Sequence, residues 1–376
     1  MLTLFLVLLF CMSIPATTFG EGLAVDETAV FKDFSMKLPL GLFADDFTVP
    51  EDNAMTKEKV ELGRSLFFDV RLSIDNTLAC AGCHNPEFAF ADNRSVSVGV
   101  NGQNGERNTP SAINRFGTVE QFWDGRAATL EEQAKAPITN PVEMAMPNEE
   151  AVVKKIADIT GYKQWFKKVF GGEVSMDHIA MAIAAFERTI VSGDSKWDRY
   201  IAGDESALTP AEKNGFEIFR GKGRCTQCHG GYNLTNEKYH NIGIGWDKSR
   251  LDVGRYAATK KMEDIGAFKT PTLREIGRTA PYMHDGRFST LEDVVDFYNQ
   301  GGMDNPFLDP EMKRTDLSLE EVLTSFSNKE GIQRMRERQI KGLNLTEEEK
   351  SSLVAFLKAL NGKGWQGIKP PDSFPE

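Results

Sequence analysis

The stretch Cys80-Ala81-Gly82-Cys83-His84 recurs in the second half of the chain as Cys225-Thr226-Gln227-Cys228-His229. Each copy has two cysteines separated by two residues and followed at once by a histidine. This C-x-x-C-H pattern attaches c-type haem, because both thiols add to the vinyl groups of the porphyrin and the histidine then ligates the iron. The sequence therefore predicts two covalently bound haems, with His84 and His229 as iron ligands.

Other uses of paired cysteines explain the pattern less well. A thioredoxin-like C-x-x-C pair or a four-cysteine zinc site does not account for a histidine directly after each pair. The whole sequence contains only five histidines. The sequence has five cysteines, and four remain when the apolar segment that contains Cys11 is set aside. Four cysteines in an exported protein usually form two disulfides, but this spacing favours haem attachment.

The first twenty residues differ from the rest of the chain. Residues 2–14 are almost wholly apolar and are followed by Pro15 and small residues up to Gly20. This run is too short for a helix across about 30 Å of hydrocarbon. We therefore expect a signal peptide over residues 1–20, no membrane span and a periplasmic location. The net charge of −11 argues against nucleic acid as a partner, which needs basic patches.

The two haem motifs lie in an internal repeat. Leu62-Gly63-Arg64-Ser65-Leu66-Phe67-Phe68 precedes the first motif, and Gly215-Phe216-Glu217-Ile218-Phe219 precedes the second. Each stretch predicts a short amphipathic helix that leads into a haem-binding loop. Alternating strand patterns are nearly absent. We expect a mostly α fold with two tandem cytochrome c-like domains, residues 21–193 and 194–376.

Two further helices and one insertion are expected. Ile179 to Val191 reads as a core helix before the domain boundary. Thr346 and Glu349 have capping-box spacing and open a last helix with an apolar face of Leu353, Val354, Leu357 and Leu360. Residues 315–338 read as an insertion before that helix.

Segments outside the motifs resemble the bacterial di-haem cytochrome c peroxidase family, which includes the MauG-like enzymes. They fall in the family's order around both motifs, and the resemblance runs from Leu62 to Gly302 and resumes at Leu343. It implies a peroxidatic haem in the first half and an electron-transfer haem in the second. The segments are Gln121-Phe122-Trp123-Asp124-Gly125-Arg126-Ala127, Val142-Glu143-Met144, Thr270-Pro271-Thr272-Leu273-Arg274 and Ala280-Pro281-Tyr282-Met283-His284-Asp285-Gly286.

Two positions resemble the MauG-like branch of the family. Ordinary members ligate the first haem with a histidine in a Val-Gly-His stretch, whereas here Ser97-Val98-Gly99-Val100 ends in valine. This implies a five-coordinate haem open to peroxide. Ordinary members ligate the second haem with methionine, whereas here Phe297-Tyr298 precedes Gly301-Gly302. Ligation by Tyr298 is implied, and an anionic phenolate favours ferric and higher oxidation states.

The resemblance also assigns roles to residues around the haems. Glu143 matches the distal carboxylate, which moves a proton between the two oxygens of peroxide. Gln133 and Pro137 match other distal-pocket positions, where Gln133 would hold water by hydrogen bonding and Pro137 would shape access. Trp123 matches the relay between the haems.

The resemblance also implies a calcium site, and at one position this chain differs from the family. Asn108, Thr279 and Pro281 match an inter-haem calcium site, which offers the hard oxygen ligands that Ca²⁺ prefers. The MauG-like branch has a surface tryptophan two residues before its second motif, whereas this chain has Gly223. Either the partner or the route of electron exit must therefore differ.

Three functions are consistent with two haem motifs in one chain. The leading one is a MauG-like enzyme that uses H₂O₂ to oxidise a tryptophan or tyrosine of a partner protein. The alternative is a peroxidase that reduces H₂O₂ to water with electrons from a small cytochrome c or a cupredoxin. A pure electron carrier would need two closed haems, and Val100 argues against it.

Overall fold

The computed structural model describes residues 27–315, 330 and 339–376. In these ranges the chain is mostly helical, as predicted, with three small antiparallel two-stranded sheets. The sheets pair β1 (Thr28–Val30) with β2 (Ser35–Lys37), β3 (Tyr239–His240) with β4 (Phe268–Lys269), and β5 (Lys313–Thr315) with β6 (Gln339–Lys341). The α-helices are α1 (Lys57–Phe68), α2 (Cys80–Cys83), α3 (Leu130–Thr139), α4 (Glu149–Ala157), α5 (Thr160–Phe170), α6 (Met176–Glu187), α7 (Lys196–Ile201), α8 (Pro210–Arg220), α9 (Tyr256–Thr259), α10 (Leu291–Asn299) and α11 (Glu347–Lys358).

Two of the sequence predictions concern residues that are mostly outside the described ranges. The predicted signal peptide, residues 1–20, lies outside the described residues, as does nearly all of the predicted insertion, residues 315–338. Among the residues that are described, no helix has the length and apolar content needed to cross a bilayer.

The helices predicted from the repeat are α1 and α8. A threonine caps each of them: Thr56 Oγ1 accepts from the backbone N–H of Lys59 at 3.2 Å, and Thr209 forms a capping box with Glu212. These bonds satisfy backbone donors that the first helical turn leaves without a partner. Each helix therefore begins at a locally encoded position and leads towards its haem motif.

Close helix crossings hold each half together. Helix α1 packs against α6, and α8 packs against α11. A Cβ on Gly63 would lie 1.8 Å from the carbonyl oxygen of Ala182, and one on Gly215 would lie 2.0 Å from that of Ser352. The two crossings thus need glycine at equivalent places in the repeat.

Two apolar cores surround these crossings. One is built mainly from α1 and from α3 to α6, and Trp365 from the end of the chain joins it. The other is built from α8, α10 and α11. The predicted division into residues 21–193 and 194–376 stays a prediction.

The last helix and the core helix differ in how well their ends were predicted. The predicted capping box of Thr346 and Glu349 is present and opens α11. Helix α6 spans Met176–Glu187, so the predicted range of residues 179–191 was shifted towards the C-terminus. The side chain of Asn114 binds the backbone N–H and carbonyl of Ser192 at 2.8 and 2.9 Å, which holds that segment away from the helix.

Candidate active site

Both haem motifs line one cavity of about 820 Å³. The remaining walls come from α3, α6, α8, α10 and α11, from the sheet of β3 and β4, and from the loops around them. The cavity brings together residues that are far apart in the sequence, and its apolar walls suit a porphyrin. The motif residues that line it are Cys80, Cys83, His84, Cys225, Cys228 and His229.

The two motif histidines have the hydrogen bonding expected of iron ligands. His84 Nδ1 lies 3.2 Å from the carbonyl oxygen of Phe90, and His229 Nδ1 lies 3.1 Å from that of Leu234. A proton on Nδ1 leaves the lone pair of Nε2 available to a metal. Burial lowers the pKa of both rings, that of His229 to about 4, so both are neutral at pH 7, as ligation requires. The residues therefore fit two c-type haems.

Glu143 lies on the turn after α3 and lines the cavity together with Gln133 and Pro137 of that helix. Its Oε1 accepts a hydrogen bond from Asn140 Nδ2 at 2.8 Å. Burial raises the pKa of Glu143, and the charge of Arg126 and the Asn140 bond offset part of this rise. The structure thus brings the three predicted distal residues together.

The stretch that follows the first motif packs against this carboxylate. The backbone N–H of Val100 donates to the carbonyl oxygen of Glu143 at 2.9 Å. A Cβ on Gly99 would lie 1.8 Å from the carbonyl oxygen of Val142, so position 99 requires glycine. Ser97 and Gly99 line the cavity, whereas the buried Val100 is not among the lining residues.

Tyr298 lies on α10 and lines the same cavity as His229. Burial raises the pKa of Tyr298, and the charges of Cys228 and Cys225 raise it further, which shows that the phenol lies near the second motif. Its hydroxyl has no hydrogen-bond partner in the described part of the chain. The side chain is therefore available to a ligand within the cavity.

Trp123 lines the cavity that both haem motifs share. Its indole Nε1 donates to the carbonyl oxygen of Asn108 at 2.8 Å. The backbone N–H of Asn108 in turn donates to the carbonyl oxygen of His284 at 2.8 Å. The ring of His284 stacks on Phe268, with centroids 3.5 Å apart. Several contacts thus fix the orientation of the indole.

The predicted calcium ligands also meet at the cavity. Asn108, Thr279 and Pro281 are all among its lining residues. Asn108 Nδ2 donates to the carbonyl oxygen of Arg94 at 3.0 Å, which leaves the amide oxygen free to accept. An amide oxygen and backbone carbonyls are donors that suit Ca²⁺.

Sequence reasoning missed two titratable groups of the cavity wall. His240 lines the cavity, and its Nδ1 lies 2.8 Å from Asp309 Oδ2, which raises the pKa of His240 to about 10. Glu187 at the end of α6 also lines the cavity, and burial raises its pKa to about 8. The helical pattern around Glu187 indicated only a core helix, and nothing near His240 in the sequence points to Asp309.

Comparison with known proteins identifies the family. Residues 57–206 match the family model described as di-haem cytochrome c peroxidase. The methylamine utilization protein MauG of Methylorubrum extorquens is 42% identical over 277 residues, which are 72% of this chain and 77% of that protein. The chain belongs to the di-haem cytochrome c peroxidase family. This confirms the predicted family, and membership implies two c-type haems and a peroxidase-type oxidoreductase.

Relatives named as peroxidases and as MauG-like proteins both match this chain. Cytochrome c551 peroxidase of Nitrosomonas europaea is 41% identical over 262 residues, which are 68% of this chain and 78% of that protein. A crystal structure of a MauG-like protein associated with microbial copper homeostasis has a TM-score of 0.71 and 33% identity, and the match covers 85% of this chain and 94% of that chain. The identities to the MauG protein and to the cytochrome c551 peroxidase are nearly equal. They therefore do not distinguish a MauG-like enzyme from an ordinary peroxidase, and only the residues of the site bear on that choice.

Proposed function

We propose that this di-haem enzyme uses H₂O₂ to oxidise a tryptophan or tyrosine of a partner protein. Peroxide reacts in the first half, residues 21–193, and the second half, residues 194–376, holds a haem ligated by His229 and Tyr298. The position of Tyr298 carries the proposal, since it lines the same cavity as His229 and its hydroxyl has no hydrogen-bond partner among the described residues.

The bound haems supply redox-active iron, and the chain's own residues handle protons and position. Reduction of one H₂O₂ to two molecules of water takes up two electrons and two protons. Glu143 accepts a proton from one peroxide oxygen and delivers it to the departing one. Asn140 orients this carboxylate, Gln133 holds water by hydrogen bonding, and Pro137 limits access. Trp123 carries electrons between the two halves.

The proposal includes one metal ion and a location. Asn108 through its amide oxygen, and Thr279 and Pro281 through their backbone carbonyls, hold Ca²⁺ between the haems. The ion would fix the segments that carry Trp123 and its neighbours. The signal-peptide pattern of residues 1–20 supports export to the periplasm, where the enzyme would meet H₂O₂ and its partner protein.

The test replaces the phenol by a thioether. Tyr298→Met is expected to keep both haems and to make the second one easier to reduce, because a softer neutral ligand favours ferrous iron. Oxidation of the partner residue should be lost. Absorption and EPR spectra, a redox titration and mass analysis of the partner measure these effects.

The matched control is Tyr282→Phe. Tyr282 also lines the cavity, but its hydroxyl donates to the carbonyl oxygen of Ile276 at 2.9 Å. This hydroxyl is therefore not available to a haem, and its removal should leave the haem spectra and reduction potentials unchanged. If Tyr298→Met kept the wild-type spectrum and potential, Tyr298 would not be a ligand.

The second candidate is a peroxidase that reduces H₂O₂ to water with electrons from a small cytochrome c or a cupredoxin. The 41% identity to a cytochrome c551 peroxidase favours it. In that case Tyr298→Met should retain H₂O₂ reduction with such a donor, and the wild-type enzyme should turn over with the donor alone.

A further inference from the structure

A half-buried tyrosine beside the cavity has the surroundings of a redox-active side chain. The hydroxyl of Tyr239 donates to Glu120 Oε2 at 2.6 Å. The guanidinium of Arg255 lies 4.0 Å from the centre of the Tyr239 ring and donates to Glu120 Oε1 at 3.0 Å. A phenol that is bonded to a carboxylate can lose an electron and pass its proton to that carboxylate in the same event, which avoids a charged phenol.

The tyrosine is packed directly behind the loop that carries Trp123. Strand β3 pairs Tyr239 with Lys269 of β4, and the backbone N–H of Lys269 donates to the carbonyl oxygen of Trp123 at 2.8 Å. The ideal Cβ position of Gly125 lies 1.8 Å from the Tyr239 hydroxyl oxygen. Gly125, with φ +65°, thus lets the hydroxyl lie against the loop two residues after the indole.

The protonation states suit a transfer from phenol to carboxylate. Burial and the hydrogen bond to Glu120 raise the pKa of Tyr239, so the phenol keeps its proton at neutral pH. Burial opposes ionisation of Glu120, but the bonds from Tyr239 and Arg255 outweigh it and lower the pKa of Glu120. Glu120 is therefore an ionised acceptor that is already bonded to the proton.

The carboxylate that accepts from the tyrosine reaches the surface of the protein. The side chain of Glu120 is 33% exposed and the neighbouring Val119 is 62% exposed. The position at which the MauG-like branch has a surface tryptophan is closed here, since Gly223 is buried and a Cβ on it would lie 2.8 Å from the carbonyl oxygen of Ile218. The side chain at that position therefore cannot serve as the exit.

We propose that Tyr239 is a redox-active tyrosine through which oxidising equivalents pass from Trp123 to the surface beside Val119 and Glu120. Tyr239 gives one electron to oxidised Trp123 and its phenolic proton to Glu120. An electron from the partner then restores Tyr239, and Glu120 returns the proton. Two such cycles supply the two electrons that reduce one H₂O₂, and solvent supplies the two protons. The inference rests on the proposed role of Trp123.

The test mixes H₂O₂ with the diferric holoenzyme in the absence of a partner and freezes the sample for EPR. The wild type should give a tyrosyl radical signal that narrows when the tyrosines carry ring deuterium. Tyr239→Phe should lose this signal and the oxidation of the partner, while the haem absorption changes with peroxide at the wild-type rate. Glu120→Gln should also lose the signal, because the proton acceptor is gone. Tyr256→Phe, next to Arg255, is the matched control and should keep it.

The outcomes separate this inference from the proposed function. If H₂O₂ does not change the haem spectra of the wild type, the proposed function and the inference both fail. If the haems respond but no tyrosyl radical forms, or the radical persists in Tyr239→Phe, the inference fails alone. A full radical yield in Glu120→Gln would exclude Glu120 as the proton acceptor.

Discussion

In the proposed reaction the carboxylate of Glu143 has to gain and lose a proton at the wall of the cavity. Glu143→Gln keeps the size of the side chain but removes this ability, so the reaction with H₂O₂ should slow by about 10²–10⁴-fold. The haem content should not change. Stopped-flow absorption measures the rate, and Glu150→Gln, an exposed substitution on α4, is the control. An unchanged rate would remove Glu143 from the mechanism.

The same residue predicts a pH dependence. Burial raises the pKa of Glu143, and only the ionised form can accept a proton from peroxide. The rate should therefore be full above this raised pKa and should fall as the pH decreases through it. In Glu143→Gln the rate should not fall over this pH range. The test is to measure the rate of reaction with H₂O₂ over a pH series in both proteins. The same fall in rate in the variant would contradict the prediction.

Residue roles could be predicted from the sequence only where the chemistry is local. The predicted ligand histidines follow their cysteines directly, and the role of Tyr298 is predicted only from its place in a family motif. By contrast, Tyr239 and Glu120 are separated by 119 positions, and His240 and Asp309 by 69. Such pairs are created by folding, and no periodicity or spacing in the sequence encodes them.

At the scale of the elements, the equivalent glycines of α1 and α8 lead to a prediction about stability. Gly63→Ala and Gly215→Ala should each destabilise the holoprotein by about 1–3 kcal/mol, because the added methyl group meets backbone atoms of the facing helix. Gly172→Ala, whose Cβ would meet nothing within 4 Å, is the control. Denaturant unfolding followed by circular dichroism measures the free energy of unfolding. Equal stability of all three variants would contradict the tight crossings.

The helices themselves were predictable where their own sequence encodes their ends. The capping threonines and the apolar periodicity of α1, α8 and α11 lie within each element. The end of α6 was not predictable, because Asn114 binds Ser192 across 78 positions. A contact with a distant loop holds the residues that follow that helix.

At the scale of the whole molecule, the count of haems is the most direct measurement. The intact mass of the holoprotein should exceed that of the polypeptide by two haems, both of which survive denaturation. A double variant of Cys80→Ser and Cys83→Ser should carry one haem if the chain still folds, and the corresponding variant of Cys225 and Cys228 should carry the other. A wild-type mass with fewer than two haems would contradict the two-motif interpretation.

The continuous cavity constrains the order of biosynthesis. Its walls run from Leu78 to Leu357, so it closes only when almost the whole chain has been made, whereas thioether formation needs accessible cysteines. Covalent loading is therefore an early step of maturation, and a cell that makes this chain faster than it ligates porphyrin should accumulate a protease-sensitive precursor.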